Sequence, residues 1–174
     1  MPSPLSSRPP QKKAPTFVIG GFKMQGELGE LLQTAMYKEV ASQAFYIAGQ
    51  NKTDDPGAKA LMKELAEEEL RHSQMLKELS ERDWEKGDWH LEKIPNLMIS
   101  EYLTGGDKLE GASLQDALLF AMKREQQAVQ FYSQMMSALR REDAKRLCER
   151  LVHEELKHKQ RLEIFYDDLF YGED

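Results

Sequence analysis

Six residues of this chain belong to types that bind metals, and they recur at spacings that let them act together: Glu39, Glu69, His72, Glu125, Glu155 and His158. Glu69 and His72 are three positions apart, as are Glu155 and His158. On a helix each pair shares a face and can aim two ligands at one point. A single Glu-x-x-His is common on solvated helices and says little alone. Here two of them stand in register, each with a further glutamate thirty or so residues upstream. A shift of 86 residues places Glu39 on Glu125, Glu69 on Glu155 and His72 on His158. The same shift matches Phe45 with Phe131, Tyr46 with Tyr132, and a series of leucines. Packing alone would explain the leucines, but not the matched charged residues.

These residues interrupt apolar seams. One helix reads Ala58, Met62, Leu65, Glu69, His72, Leu76, Leu79, and another Cys148, Leu151, Glu155, His158, Leu162, Phe165, Leu169. Both keep alternating steps of three and four, the stripe of a packed bundle. Two further stripes, through Leu32, Ala35, Glu39 and Ser42 and through Leu118, Ala121, Glu125 and Ala128, each carry one glutamate midway. An ionised carboxylate in a low-dielectric core costs several kcal/mol unless it is paired. No lysine or arginine falls on the stripes at that level, so the four carboxylates must protonate or find other cations. Two divalent ions would balance four carboxylates and two neutral imidazoles. Oxygen-rich ligation with one imidazole per metal suits iron or manganese, and zinc can enter such sites. Glu68 and Glu154 are rival ligands that fall off the stripe, which predicts an exposed or supporting place.

The elements that must position these ligands are four long helices, over about 28–50, 56–85, 113–139 and, after a short turn at 140–142, from there to near the end. The stretches are rich in Ala, Leu, Glu, Lys, Gln and Met, good helix formers, and poor in β-branched residues. Asp55 is the expected N-cap of the second helix with Pro56 behind it, and Ser113 with Asp116 forms a capping box for the third. Short turns join the first helix to the second and the third to the fourth, so each pair is an antiparallel hairpin. The linker between the pairs, with Trp84 and Trp89 as its expected anchors, is long enough to cross a helix of roughly 42 Å. The predicted fold is all-α: two antiparallel hairpins related by an internal repeat and joined by a long crossover. One glutamate from each of two helices and Glu-x-x-His from the other two is the ligand pattern of ferritin-like di-iron bundles.

Residues 1–15 hold five of the seven prolines, and residues 16–26 are apolar and glycine-broken. Residues 1–26 are therefore expected to be a flexible tail and arm, and 27–174 the bundle domain. The net charge of −6 argues against a nucleic-acid surface. No run reaches membrane-spanning length and no secretory signal is evident, which predicts a cytoplasmic protein without membrane attachment. Cys148, the only cysteine, sits on a seam and is expected to be a core thiol.

The segments EVASQAFY, EEELRH, EQQAVQFY and HEELKH resemble the rubrerythrin branch of the ferritin-like superfamily, over about residues 28–170. The resemblance implies a centre of two iron ions that reacts with hydrogen peroxide or dioxygen, in a peroxidase or ferroxidase concerned with oxidative stress or iron homeostasis. It implies that Glu69 and Glu155 bridge or chelate between the metals, with Glu39 and His72 completing one end and Glu125 and His158 the other, and leaves open which histidine binds which metal. It also implies that Tyr46 and Tyr132 hydrogen-bond the ligands, against a plain reading as core tyrosines. Two departures stand out. The four cysteines of a rubredoxin domain are missing, so the electron donor is expected to be a separate molecule such as a rubredoxin-like protein. The extra glutamate of many rubrerythrins is replaced by Ala128, with Ser42 as its repeat mate, which is closer to bacterioferritin ferroxidase centres. Alternative expectations are a ferritin-like iron storage or delivery subunit, and a di-metal oxygenase acting on an organic substrate. A homodimer or higher homo-oligomer is expected. The segment TFVIGGFK loosely resembles the cargo-loading peptides of encapsulin compartments.

Overall fold

The computed structural model describes residues 27–85, 87–89, 109 and 111–172. Among them are four helices: α1 (Glu27–Lys52), α2 (Pro56–Ser80), α3 (Leu114–Ala138) and α4 (Glu142–Tyr171). The starts follow the sequence signals. Asp55 Oδ1 accepts the Ala58 amide at 2.7 Å, and Pro56 opens α2 with no amide to leave unsatisfied. Ser113 and Asp116 exchange backbone and side-chain bonds in a full capping box. The end of α2 differs from expectation, falling at Ser80 rather than near Glu85. There the Leu79 carbonyl accepts both the Arg82 amide (3.3 Å), in a tightened last turn, and the Trp84 indole (3.1 Å).

α1 packs chiefly on α2 and α3 on α4, giving two antiparallel hairpins. The crossover begins against the α3–α4 turn. Trp89 pairs with Leu139, the Arg140 amide donates to Asp88 O at 2.7 Å, and the Arg141 guanidinium lies 4.7 Å above the Trp84 ring. It returns at the opposite end, where Lys52 Nζ donates to Leu109 O at 2.8 Å and Leu109 is buried. The described ends of the connection thus lie at opposite ends of the bundle. The tail 1–26, the TFVIGGFK segment, His90 and the short helix expected at 99–103 lie outside the described residues. None of the four helices is long and apolar enough to cross a membrane.

The core is split in two. One cluster gathers Leu32, Ala35, Leu76, Tyr132, Met135 and Cys148 with their neighbours; the other gathers Phe45, Tyr46, Met62, Leu65, Leu118 and Leu162. Between them lies a layer of carboxylates and imidazoles. α1 and α2 approach closely at Gly49, where a Cβ would stand 2.6 Å from Met62 Sδ. In the other hairpin the repeat mates of Gly49 and Met62 are Met135 and Cys148, so the large and small partners change places. The α4 seam frays after Leu162: Phe165 is half-buried and Leu169 is 39% exposed.

Candidate metal centre

All six expected ligands come together, none more than 2% exposed. They form two overlapping groups, Glu39, Glu69, His72, Glu155 and Glu69, Glu125, Glu155, His158. Within each group one donor atom per residue lies within 4.8 Å of every other. Glu69 and Glu155 are common to both. The geometry thus groups His72 with Glu39 and His158 with Glu125.

The nitrogens facing inward are the Nδ1 atoms. His72 Nδ1 lies 3.1 Å from Glu39 Oε2, 3.0 Å from Glu155 Oε1 and 3.6 Å from Glu69 Oε2. His158 Nδ1 lies 3.2 Å from Glu69 Oε1, 3.1 Å from Glu155 Oε2 and 3.6 Å from Glu125 Oε2. The two rings stack at 5.3 Å between centroids and 11° between planes. Glu69 Oε1, both Glu155 oxygens and His158 Nδ1 are buried without a hydrogen bond of good geometry. Buried polar atoms are seldom left so. Acceptors crowding a ring nitrogen at about 3 Å require a positive charge among them, and two cations among these donors meet that requirement.

The outer nitrogens are also held. His72 Nε2–H donates to Glu154 Oε2 at 2.7 Å, and His158 Nε2–H donates to Glu68 Oε2 at 2.6 Å. Glu68 and Glu154 are half-buried and meet the imidazoles from the outer side, apart from the two donor groups. Tyr46 OH donates to Glu125 Oε1 and Tyr132 OH to Glu39 Oε1. Both phenols are fully buried, and burial together with the adjacent glutamate (Glu125 for Tyr46, Glu39 for Tyr132) drives their pKa well above 10, keeping them O–H donors. Cys148 is a core thiol as expected, pushed up to about 12 by burial.

The metal-free layer resolves its charge through protons. Burial, then the Glu69 carboxylate, raises Glu39 to about 8 despite the pull of His72. Burial, then Glu39 and Glu125, raises Glu155 to about 8. Burial would also raise Glu125, but the facing His158 imidazolium, with Glu155, holds it below the usual range. Burial opposes charge on His72 and His158, yet the converging carboxylates win and hold both imidazoles protonated far above their ordinary range.

One expectation is corrected. Lys38 and Arg124, off the stripe by a single position, are 3% and 2% exposed, so cationic side chains are buried at this level after all. Each precedes an expected ligand, and the two are repeat mates. Lys38 Nζ sits 4.8 Å above the Phe131 ring; the Arg124 guanidinium lies 5.2 Å from that of Phe45 and donates to Ser42 Oγ at 3.0 Å. Phe45 meets Tyr46 edge-on at 5.3 Å, and Phe131 meets Tyr132 at 5.4 Å. The adjacent pair Arg124–Glu125 thus grips the adjacent pair Phe45–Tyr46, and Lys38–Glu39 grips Phe131–Tyr132. The sequence signal was present in the basic residue directly before each glutamate. A strict stripe hides it, because flanking positions of a four-helix bundle are also covered.

Fold and centre together define a ferritin-like bundle with a buried carboxylate–histidine site. Residues 116–174, which carry Glu125, Glu155 and His158, match the rubrerythrin family model. Among solved structures, a hypothetical protein from Pyrococcus furiosus is similar at 25% identity and a TM-score of 0.63, over 85% of this chain and 93% of that one. A protein from Thermotoga maritima, assigned as a ferritin-like diiron-carboxylate protein, is similar at 19% identity and a TM-score of 0.62, over 82% of this chain and 96% of that one. No curated protein matches the sequence.

Proposed function

We propose that the chain is a non-haem di-iron oxidoreductase in which Fe(II) is oxidised by hydrogen peroxide or dioxygen. The observation that carries this reading is the pair of overlapping donor groups sharing Glu69 and Glu155. Two iron ions held there would supply the two electrons that reduce peroxide to water or dioxygen to peroxide. Manganese or zinc could occupy the same donors.

The protein's part is positional. Glu39 and Glu125 are each fixed by a phenol on one oxygen, which leaves the other for a metal. Glu69 lacks a hydrogen bond on Oε1 and Glu155 on both oxygens, so both can shift as the charge of the centre changes. The imidazoles are held by their outer nitrogens with Nδ1 turned inward. Reducing equivalents would come from a separate protein or small molecule.

Anaerobic titration of the metal-free protein with Fe(II), followed by peroxide or dioxygen, tests the reading. Binding should saturate at two irons per chain, and oxidation should then change the near-ultraviolet absorbance in proportion. Saturation at any other number, or no oxidation faster than that of free Fe(II), would overturn it.

A further inference from the structure

α1 differs from its neighbours in what it shows to solvent. Between Gln33 and Asn51 its only charged residues are Lys38 and Glu39, and both are buried. Its outward strip there is Gln33, Tyr37, Val40, Ala44, Ile47 and Asn51, with Tyr37, Val40 and Ile47 between 43% and 52% exposed. Over a similar length α2 exposes Lys63, Glu64, Glu67, Arg71 and Lys77, and α4 exposes Glu149, Arg150, Lys157 and Glu163. A helix that is apolar on its outer side as well as its inner one belongs in an interior. The repeat shows that the bundle itself does not ask for this strip. The mates of its six residues on α3 are Leu119, Lys123, Gln126, Gln130, Ser133 and Ser137, so the other hairpin builds the same core under a polar surface. The apolar strip therefore serves a contact outside the bundle.

The pattern of the strip identifies its partner. Its steps are four, three, four, three and four residues, so it reads the same in both directions. The residue types do too: an amide at each end (Gln33, Asn51), a large apolar residue next (Tyr37, Ile47), and a smaller one on either side of the middle (Val40, Ala44). An isologous contact across a two-fold axis needs this symmetry, because the patch meets a copy of itself. A foreign segment has no use for it. We propose that the outer strip of α1 pairs antiparallel with the same strip of a second copy of the chain, about an axis at the level of Ser42. The pairing sets Tyr37 against the partner's Ile47, Val40 against the partner's Ala44, and Gln33 against the partner's Asn51. Half-buried Ala41 and Ala48 flank the strip and let the two helices approach closely. The outward half of a helix about 27 Å long and 10–12 Å across offers on the order of 500 Å², so two copies bury about 1,000 Å², the lower bound for a specific interface. The dimer should therefore dissociate in roughly the micromolar range. The cleft of about 490 Å³ that reaches His158 is lined by α2 and α4 alone, so it stays open in the pair.

Sedimentation velocity of the full chain over about 1–200 µM tests the pairing, and it does so whether or not the centre holds metal. Wild type should pass from monomer to dimer as concentration rises. V40E and I47E each bring two like charges into the contact, one from each copy, and should weaken the dimer at least about 100-fold. L70E and I164E, at similarly exposed apolar positions on α2 and α4, should leave it within about threefold of wild type. All four positions are exposed, so circular dichroism should return wild-type helicity. V40E and I47E stand on different turns, and either alone can carry the test. Mixing reads the register. V40E and A44K should each dimerise poorly alone, and together should form a mixed dimer in which the two introduced charges meet. A wild type that stays monomeric throughout would overturn the inference. So would a dimer that V40E and I47E leave intact, or a mixture of V40E and A44K no tighter than either variant alone. A larger assembly that V40E and I47E cut to half its size contains the same contact and supports the pairing; one that they leave whole overturns it.

Discussion

The two hairpins are duplicates at the centre and strangers one layer out. Inside, Glu39, Glu69, His72 and Tyr46 find equivalents in Glu125, Glu155, His158 and Tyr132, all buried and all facing one another. Outside, buried Lys38 answers Arg124 and Ser42 answers Ala128. The α1 face bearing Tyr37, Val40 and Ile47, each more than 40% exposed, answers Lys123, Gln126 and Ser133 on α3. The difference teaches what the site demands. Two cations between four carboxylates need a two-fold set of donors at about 3 Å, which tolerates no change of type or register. The covering layer needs only to fill space and satisfy polar atoms, and many combinations do that.

The comparison breaks most completely at the shared ligands. Glu69→Ala or Glu155→Ala removes a donor from both groups and should abolish binding of both metals. Glu39→Ala or Glu125→Ala removes a donor from one group and should leave about one ion per chain. Metal stoichiometry after chelator-free purification reads this directly. Equal losses for all four variants would show that the sharing inferred from the geometry is wrong. In the metal-free protein Glu155→Leu removes the carboxylate that faces both protonated imidazoles and should destabilise the bundle by about 3–5 kcal/mol, measured as denaturant midpoint.

A second test concerns protons. Glu39 and Glu155 are raised from 4.5 to about 8 in the folded metal-free protein. The folded state thus binds more protons than the unfolded one between those values, and their contribution is full below pH 4.5 and lost by about pH 8. The imidazoles, raised from 6.5, lose theirs in the same direction at higher pH. Glu68 runs oppositely: the hydrogen bond from His158 lowers it to about 2, so its contribution is present above pH 4.5 and lost as pH falls toward 2. The metal-free protein should therefore melt highest near pH 5 and lose on the order of 5–10 °C by pH 8. Saturating Mn(II), which replaces the protons, should flatten or reverse the slope. A metal-free melting temperature that rises from pH 5 to pH 8 would contradict the charge distribution of the layer.

Much of this was legible in the sequence, for a physical reason. A glutamate at a leucine position in a seam is costly, so its repetition at a fixed shift carries information that the common Glu-x-x-His pattern does not. Helix starts were legible because capping is local: Asp55, Pro56, Ser113 and Asp116 act within one turn. The end of α2 was not, because it depends on Trp84 folding back on Leu79. The buried cations Lys38 and Arg124 were missed because their cover comes from aromatic rings on another helix. The contacts of Glu154 with His72 and of Glu68 with His158 are relations between hairpins that no spacing within one helix encodes.

Smaller effects sharpen the likeness of the halves. Tyr46→Phe and Tyr132→Phe each leave one buried carboxylate oxygen without its donor, a loss of roughly 1–3 kcal/mol. The two variants should resemble each other in melting temperature, and each should alter metal affinity at the end it supports, Glu125 for Tyr46 and Glu39 for Tyr132. A difference larger than about 1.5 kcal/mol would mean that the asymmetric outer layer reaches the ligands.

The smallest expected effect comes from making the halves more alike. Gly49 is glycine because Met62 Sδ occupies the place its Cβ would take. The second hairpin solves the same volume with Met135 and Cys148, both fully buried. Glycine inside a helix costs roughly 1 kcal/mol relative to alanine, so Gly49→Ala gains that much and loses about 1–3 kcal/mol to overpacking, for a small net loss. Transplanting the pair as a unit, Gly49→Met with Met62→Cys, restores the volume balance of the other hairpin and removes the glycine. The double variant should melt within about 3–5 °C of wild type, while Gly49→Met alone loses more. The non-additivity is the informative quantity, since independent sites would add and packed partners should not. If the double variant is as unstable as the sum of its parts, the hairpins share their ligands and register but not the packing beneath them.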